Sequence, residues 1–208
     1  MNFLRAGVCF FLLILIGCPG LVSRTQYFPT SFCCGPEDDF HYQLYAVPLS
    51  RMKEPSLLGP QGEEGSDVYR FLWLPSFREP VAIRLTIQPD GSGQLETKIL
   101  NGAGGYDPGK LAIHSKKKVK KEDLVSFNVA AKNASRWFLE EELPPTRQGF
   151  DGAEWIFEAS IDGNYYVLKR SSPKPNNGES PAAQIENDFY RLGTALMDLS
   201  QTKFDPVY

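Results

Sequence analysis

Hydrophobic and polar residues alternate along the middle of the chain, in segments short enough to be β-strands. Residues 81–88 (VAIRLTIQ) alternate strictly, which predicts a half-buried strand. In residues 69–74 (YRFLWL), the odd-numbered and the even-numbered positions are both mostly apolar, which predicts a strand with little solvent on either face. The turn sequence PDGSG at 89–93 leads to a further strand at 95–99, and the apolar residues of 111–113 indicate a fourth short strand.

Two later segments have the apolar spacing of helices. Residues 122–138 carry a stripe whose members are three or four positions apart, namely Leu124, Phe127, Ala131, Ala134 and Phe138. The second helix, at 180–199, begins with Ser180 as the N-cap and Pro181 at the first helical position. Between the helices, residues 154–161 alternate and lead through a hairpin turn into another strand.

The order of these elements, ββββαββα, predicts an α+β fold with a mostly antiparallel sheet and two helices packed on one face. It is not a βαβ series, which disfavours a doubly wound nucleotide-binding fold. We expect a single α+β domain at 67–200, a tether and irregular lead-in at 19–66, and a loose tail at 201–208.

The first 18 residues have the organisation of a bacterial export signal. Arg5 precedes an apolar run at 6–16, which has the length of a signal-peptide core and falls short of the roughly 20 residues of a transmembrane helix. The run ends in LIGC at 15–18, which resembles a lipobox, whose cysteine is lipidated and becomes the first residue. The pattern predicts a lipoprotein held by membrane lipid through Cys18. Ordinary cleavage to a soluble secreted protein and an uncleaved anchor are the alternatives.

This signal predicts a location in the cell envelope. Pro19, rather than aspartate, follows the lipobox cysteine, which in a Gram-negative host resembles a lipoprotein on the periplasmic face of the outer membrane. Without lipidation the protein would be secreted or periplasmic. Each buried lipid methylene contributes about 0.8 kcal/mol, so two or three chains give a stable anchor.

Charge and composition narrow the expected partners. The formal net charge is −3, which gives no reason to expect nucleic acid as a partner. The four cysteines have no metal-ligand spacing, and the two histidines, His41 and His114, lie far apart in sequence. We therefore expect neither a metal site nor a cofactor.

A glycine-rich loop at 101–111 (NGAGGYDPGKL) contains the glycine and lysine spacing of a phosphate-binding P-loop. However, a leucine stands where a P-loop has Ser or Thr, Pro108 removes a backbone amide, and no helical stripe follows the lysine. We therefore expect no nucleotide site, but a wide connection between two strands. Tyr106, Asp107 and Lys110 are candidates for contact with a partner at the loop tip.

A dense basic run follows this loop and consists of Lys116, Lys117, Lys118, Lys120 and Lys121. One interpretation is an exposed edge strand whose lysines prevent pairing with other chains. The other is contact with anionic lipid headgroups or polyanionic envelope glycans, worth about 1 kcal/mol per lysine near a charged membrane.

Catalytic chemistry has little support in the sequence. Asp107, Asp151 and Glu154 are candidates for an acid–base pair, but no spacing brings two of them together. Arg84 and Arg170 lie on predicted strands and could recognise an anion, although strand arginines usually pair with carboxylates. The three tryptophans could line a sugar or peptide groove, but their core-facing periods favour packing.

Three stretches are similar to a proteobacterial envelope, lipoprotein-like family of unknown function. They are YRFLWLPSFREPVAIRL at 69–85, NGAGGYDPGKL at 101–111 and GFDGAEWIFEASIDGNYYVLKRSSP at 149–173. The resemblance spans most of residues 69–199 in the same order. It implies an envelope protein and assigns no activity, ligand or catalytic residue.

Together these features predict a bacterial cell-envelope lipoprotein with a non-enzymatic binding or assembly role, whose partner is an envelope protein or glycan. The first alternative is a hydrolase acting on envelope glycan or peptide, which would bring two candidate carboxylates together in a cleft. The second is a periplasmic small-ligand binder, which would need an apolar cavity of about 300 Å³ or more.

Overall fold

The computed structural model describes residues 25–32, 39–59, 61, 63–140, 143–144 and 152–202. The predicted signal peptide with Cys18, the tail beyond Thr202, and the candidate carboxylate Asp151 lie outside the described residues. Within the described ranges, no helix combines the length and the hydrophobicity that a membrane crossing requires.

Six antiparallel strands form one sheet, and they are β1 (Asp67–Pro75), β2 (Val81–Ile87), β3 (Gly93–Leu100), β4 (Leu111–Val119), β5 (Ala153–Ile161) and β6 (Asn164–Ser171). Their order across the sheet is β4-β3-β2-β1-β5-β6, so β4 and β6 form its two edges. Every neighbouring pair in this order is antiparallel. The α+β class and the antiparallel sheet are therefore confirmed.

Among the described residues, three α-helices pack on the sheet, and they are α1 (Asp39–Arg51), α2 (Val125–Ala134) and α3 (Pro181–Ser200). Short 3-10 helices precede and follow α2, so the predicted helix at 122–138 is a helical segment of mixed type. The start of α3 agrees with the prediction, because the Oγ of Ser180 accepts a hydrogen bond from the backbone N–H of Ala183 at 3.2 Å.

Helices α2 and α3 pack on one face of the sheet and bury its aromatic side chains. Phe71 of β1 stacks on Phe157 of β5 with ring centroids 4.6 Å apart. Phe189 of α3 meets Phe157 edge to face at 5.2 Å, and Phe127 of α2 meets Tyr69 in the same way at 5.0 Å. These rings belong to the larger of two buried cores.

The opposite face is covered by α1, which the sequence did not predict. The expected count of two helices is wrong, and part of the expected irregular lead-in at 19–66 is this helix. Leu49 and Met52 are fully buried in a second core with Leu72 of β1 and Ile156 of β5. The physical reason is that β1 and β5 are apolar on both faces, so the second face also needs a cover.

Strand β4 is longer than the predicted segment at 111–113. It continues through the lysine-rich residues to Val119, because these pair in register with β3, with Lys116 opposite Glu96. The strand pairs only with β3, and all but two of its nine residues are exposed.

Candidate functional site

A groove of about 1540 Å³ lies between the sheet and the C-terminal half of α3, and we call it the α3 groove. The apolar part of its lining comes from five strands and from α3, and includes Trp73, Val81, Ile99, Trp155, Tyr190 and Met197. Ala112 and Ile113 of β4 also line it. Because β4 is an edge strand, the α3 groove reaches the edge of the sheet.

Trp155 fits against α3 because residue 193 has no side chain. A Cβ added at Gly193 would lie 2.2 Å from Cζ3 of Trp155, which is far inside van der Waals contact. The indole also stacks on Tyr190, with ring centroids 6.2 Å apart and planes inclined by 20°. Gly193 therefore sets how closely the wall of the α3 groove approaches the sheet.

Charged side chains of both signs line the α3 groove beside its apolar part. Arg78 and Glu79 come from the loop between β1 and β2, Lys174 from the segment after β6, and Asp198 from α3. An apolar surface with a few polar groups is the usual composition of a ligand site. The mixture of signs suits an amphipathic ligand with charges of its own.

Three separate stretches of the sequence contribute residues to the α3 groove. The stretch at 69–85 contributes Trp73 and Arg78 to the lining, and the stretch at 101–111 contributes Asn101. The stretch at 149–173 contributes Trp155 and Ser172. The α3 groove therefore brings together residues that are distant in sequence.

Two of the candidates at the tip of the glycine-rich loop, Tyr106 and Asp107, lie beside α1, where they line a second cavity of about 420 Å³. Asp107 accepts a hydrogen bond from the backbone N–H of Gly109 at 3.1 Å and pairs with Arg51 of α1, and both interactions lower the pKa of Asp107. Tyr106 is 71% exposed, and its ring centroid lies 5.8 Å from that of Phe77. The structure thus gives Asp107 a partner within the chain.

The glycine-rich loop itself connects β3 to β4. The side-chain oxygen of Asn101 accepts a hydrogen bond from the backbone N–H of Lys110 at 2.8 Å, and Gly109 has a φ of 76°, a conformation that favours glycine. Lys110 leads into β4 and not into a helix. The strand–loop–helix arrangement on which a P-loop depends is therefore not formed here.

The lysines of the basic run lie along and just beyond β4, the edge strand. Lys116 reaches a carboxylate oxygen of Glu96 at 3.2 Å, and Lys120 reaches Glu122 at 3.7 Å. Lys118 and Lys121 are exposed. The interpretation of this run as part of an exposed edge strand is confirmed in its geometry, whereas its role stays a prediction.

A row of charged side chains crosses the sheet on the α1 face, and the sequence did not predict it. Glu158, Arg70, Arg84 and Glu96 are consecutive neighbours in the registers of β5, β1, β2 and β3. Arg70 is fully buried and donates two hydrogen bonds to the carboxylate of Glu158, one from Nε at 2.6 Å and one from Nη2 at 2.7 Å. The available signal was the presence of charged residues within otherwise apolar strands.

Glu54, from the segment after α1, joins this row and completes what we call the ion-pair network. Its carboxylate lies 2.9 Å from Nε of Arg84, 2.8 Å from Nζ of Lys98 and 3.5 Å from Nη1 of Arg70. These cations lower the pKa of Glu54 although burial opposes them. Glu54 thereby separates two arginines that the sheet register places side by side.

Glu96 is the member of the ion-pair network nearest the edge strand. Burial alone would raise its pKa, but Arg84, His114 and Lys116 together lower the pKa of Glu96 to about 2. Arg84 donates to it at 2.7 Å, and Nε2 of His114 lies 2.6 Å away. The sheet edge therefore carries a carboxylate surrounded by cations.

Two of the three carboxylates considered for catalysis, Asp107 and Glu154, are described, and both lie near cations. Asp107 pairs with Arg51, and Glu154 lies 3.9 Å from Lys169. The two strand arginines also lie near carboxylates, as expected, with Arg84 at Glu54 and Glu96 and Arg170 3.6 Å from Glu186. The tryptophans pack as predicted, because all three are buried, although two of them also line the α3 groove.

Among the residues that the structure describes, no group of three or more His, Cys, Asp or Glu side chains could hold a metal ion. The charged side chains described above form two groups. The ion-pair network lies on one face of the sheet, and the charged lining of the α3 groove lies on the other. In comparisons with known proteins, no family model matches this chain, and no curated protein matches it.

Proposed function

We propose that this protein is an exported bacterial envelope lipoprotein that binds a segment of another envelope polypeptide in the α3 groove. Its role is binding or assembly, without catalysis, and Cys18 holds it to the membrane. The observation that carries this proposal is the α3 groove, with its buried tryptophans and its charges of both signs.

The size of the α3 groove favours a polypeptide segment over a small molecule. Small-molecule sites usually enclose about 300–1000 Å³. The α3 groove, at about 1540 Å³, is larger and extends to the sheet edge. Ile113 of β4 is half exposed and offers an apolar contact, and Arg78 and Asp198 can orient a ligand that carries both charges.

A small-ligand binder is the second candidate, since the volume also exceeds the 300 Å³ or so that such a function requires. The two candidates differ in the mass of what occupies the groove. The hydrolase alternative has less support, because Asp107 and Glu154 each lie beside a cation.

Site-specific photocrosslinking in intact cell envelopes tests the groove. A photoreactive benzoylphenylalanine is placed at Thr194, which lines the α3 groove, and in a matched control at Arg191, which is exposed on the same helix. We expect a protein-sized adduct from position 194 and a much weaker one from position 191. Adducts of equal yield, or none at position 194, would contradict the proposal, and an adduct of a few hundred daltons would favour the small-ligand candidate.

Lipidation is tested separately by Cys18→Ser. The unchanged chain is expected to have the mass of a lipidated mature protein and to partition into detergent, because two or three acyl chains give stable membrane attachment. The variant should lose both properties. Identical masses and identical partitioning of the two proteins would refute the anchor, while leaving the groove experiment intact.

A further inference from the structure

Strand β4 presents a long open edge to solvent. Nine residues, Leu111–Val119, pair only with β3, and at about 3.4 Å per residue they span roughly 30 Å. In such an edge strand, the backbone N–H and C=O groups of alternate residues point away from the sheet. Most side chains of β4 are exposed on both faces, so no helix among the described residues covers this edge strand.

Proteins usually blunt an edge of this length, and β4 has few of the usual devices. It contains no proline, and its one register irregularity lies near its start, at Ala112, opposite Ile99 and Leu100. Leu111 and Ile113 are 37% and 51% exposed. Lysines are the only device present, and they are concentrated in the second half of the strand.

The two halves of β4 therefore have different chemistry. The first half is apolar and lines the α3 groove through Ala112 and Ile113. The second half carries Lys116, Lys117 and Lys118 in succession, and two more lysines follow directly. Lys116 and His114 both contact the carboxylate of Glu96, so this one acidic side chain does not offset all the lysines, and the net charge along this half is positive.

We propose that β4 accepts an extended acidic segment of a partner polypeptide as a seventh strand of the sheet. The backbone of the segment pairs with the outward N–H and C=O groups of β4, acidic side chains meet the lysines, and apolar side chains meet Leu111 and Ile113. This inference rests on the proposed function, because the bound segment enters the α3 groove where Ala112 and Ile113 line it.

Two other occupants fit the edge less well. A second copy of β4 would bring the same lysine-rich strand beside this one, so like charges would be concentrated along the new pair of strands. An anionic lipid surface would satisfy the lysines but not the backbone groups of a 30 Å edge (about nine residues). An acidic extended chain satisfies both kinds of group.

The probe is a nine-residue peptide, blocked at both ends, with glutamate at alternate positions in its first half and valine in its second. This is the order that antiparallel pairing with β4 requires. Its twin carries N-methyl groups at alternate amides, which removes backbone donors without changing any side chain. Binding is measured by calorimetry, and hydrogen exchange is followed at the amides of Leu111–Val119.

We expect the probe to slow exchange at alternate amides of β4, and the N-methylated twin to bind more than about tenfold more weakly, because main-chain hydrogen bonds supply most of the affinity in strand addition. Lys118→Glu should weaken binding by about tenfold through repulsion of the glutamates. Lys132→Glu, which changes an exposed lysine on α2, is the matched control and should leave binding unchanged.

Three results would overturn the proposal. Equal binding of the probe and its N-methylated twin would show that charge alone is recognised. Tighter binding to phosphatidylglycerol vesicles, without protection of β4, would assign the lysines to a lipid surface. Protection of β4 that depends on protein concentration, with a dimer in light scattering, would assign the edge to a second copy. If crosslinking at Thr194 persists while β4 stays unprotected, the proposed function stands and this inference alone fails.

Discussion

Replacing Arg70 by methionine should destabilise the protein more than any surface substitution. Arg70 is fully buried, holds Glu158 through two hydrogen bonds and donates a third to the backbone oxygen of Pro55 at 2.6 Å. Removing one partner of a buried pair leaves an uncompensated charge and costs about 3–5 kcal/mol. A typical domain has only about 5–15 kcal/mol of unfolding free energy, so the Arg70→Met loss should be large.

The loss should also depend on pH. Burial already raises the pKa of Glu158 against the opposing effect of Arg70, and without Arg70 this pKa should rise further. The folded variant then binds a proton that the unfolded chain releases above about pH 4.3, so its stability falls as the pH rises. The stability gap to the unchanged protein should therefore be smallest near pH 4 and widen towards pH 7.

Urea unfolding of the protein, followed by tryptophan fluorescence, measures this difference in stability. Arg51→Met is the matched control, because Arg51 pairs with Asp107 at an exposed site and should matter much less. The double variant Arg70→Met/Glu158→Leu should recover much of the loss, since an apolar pair can replace a buried ion pair. If Arg70→Met unfolds at the same urea concentration as Arg51→Met, the reasoning about the ion-pair network is wrong.

Three further predictions concern single side chains. Gly193→Ala should cost about 1–3 kcal/mol in thermal unfolding, because its Cβ would collide with Trp155, and a gain in stability would contradict that contact. Glu96→Gln should lower stability above about pH 4.5 and have little effect near pH 2. The reason is that the stabilisation from the lowered pKa of Glu96 is lost as the pH falls. An equal loss of stability at both pH values would refute this. Asp188→Asn should cost about 1–3 kcal/mol and alter Trp137 fluorescence, because Asp188 accepts the Trp137 indole N–H at 2.9 Å.

The strands and the two C-terminal helices could be predicted because their periods are local. Helix α1 also has a readable stripe, with Tyr42, Tyr45, Leu49 and Met52 at steps of three and four. Pro48 conceals it, since proline inside a helix removes a hydrogen bond and argues against the assignment. In the structure, Pro48 lies in the last turn, where it interrupts little of the helix.

The candidate sites were harder to predict because they depend on contacts between distant residues. The sequence identified Trp73 and Trp155 as core residues, which they are, but it could not place both on one groove with α3. The ion-pair network has the same origin, since Arg70 and Glu158 are neighbours only in the register of β1 and β5. Charged residues in apolar strands indicate which residues belong to the network, but the sequence does not predict which of them pair with each other.

The ion-pair network also bears on how an anchored molecule would be oriented. It fixes Glu54 and the end of α1 to the sheet, and the hydroxyl of Tyr27 donates to the backbone oxygen of Glu54 at 3.2 Å, so the chain at Tyr27 belongs to the α1 face. Tyr27 is nine positions after Cys18, and a chain of that length reaches about 30 Å at most. On the proposed anchoring, the tether therefore joins the domain on its α1 face, opposite the α3 groove.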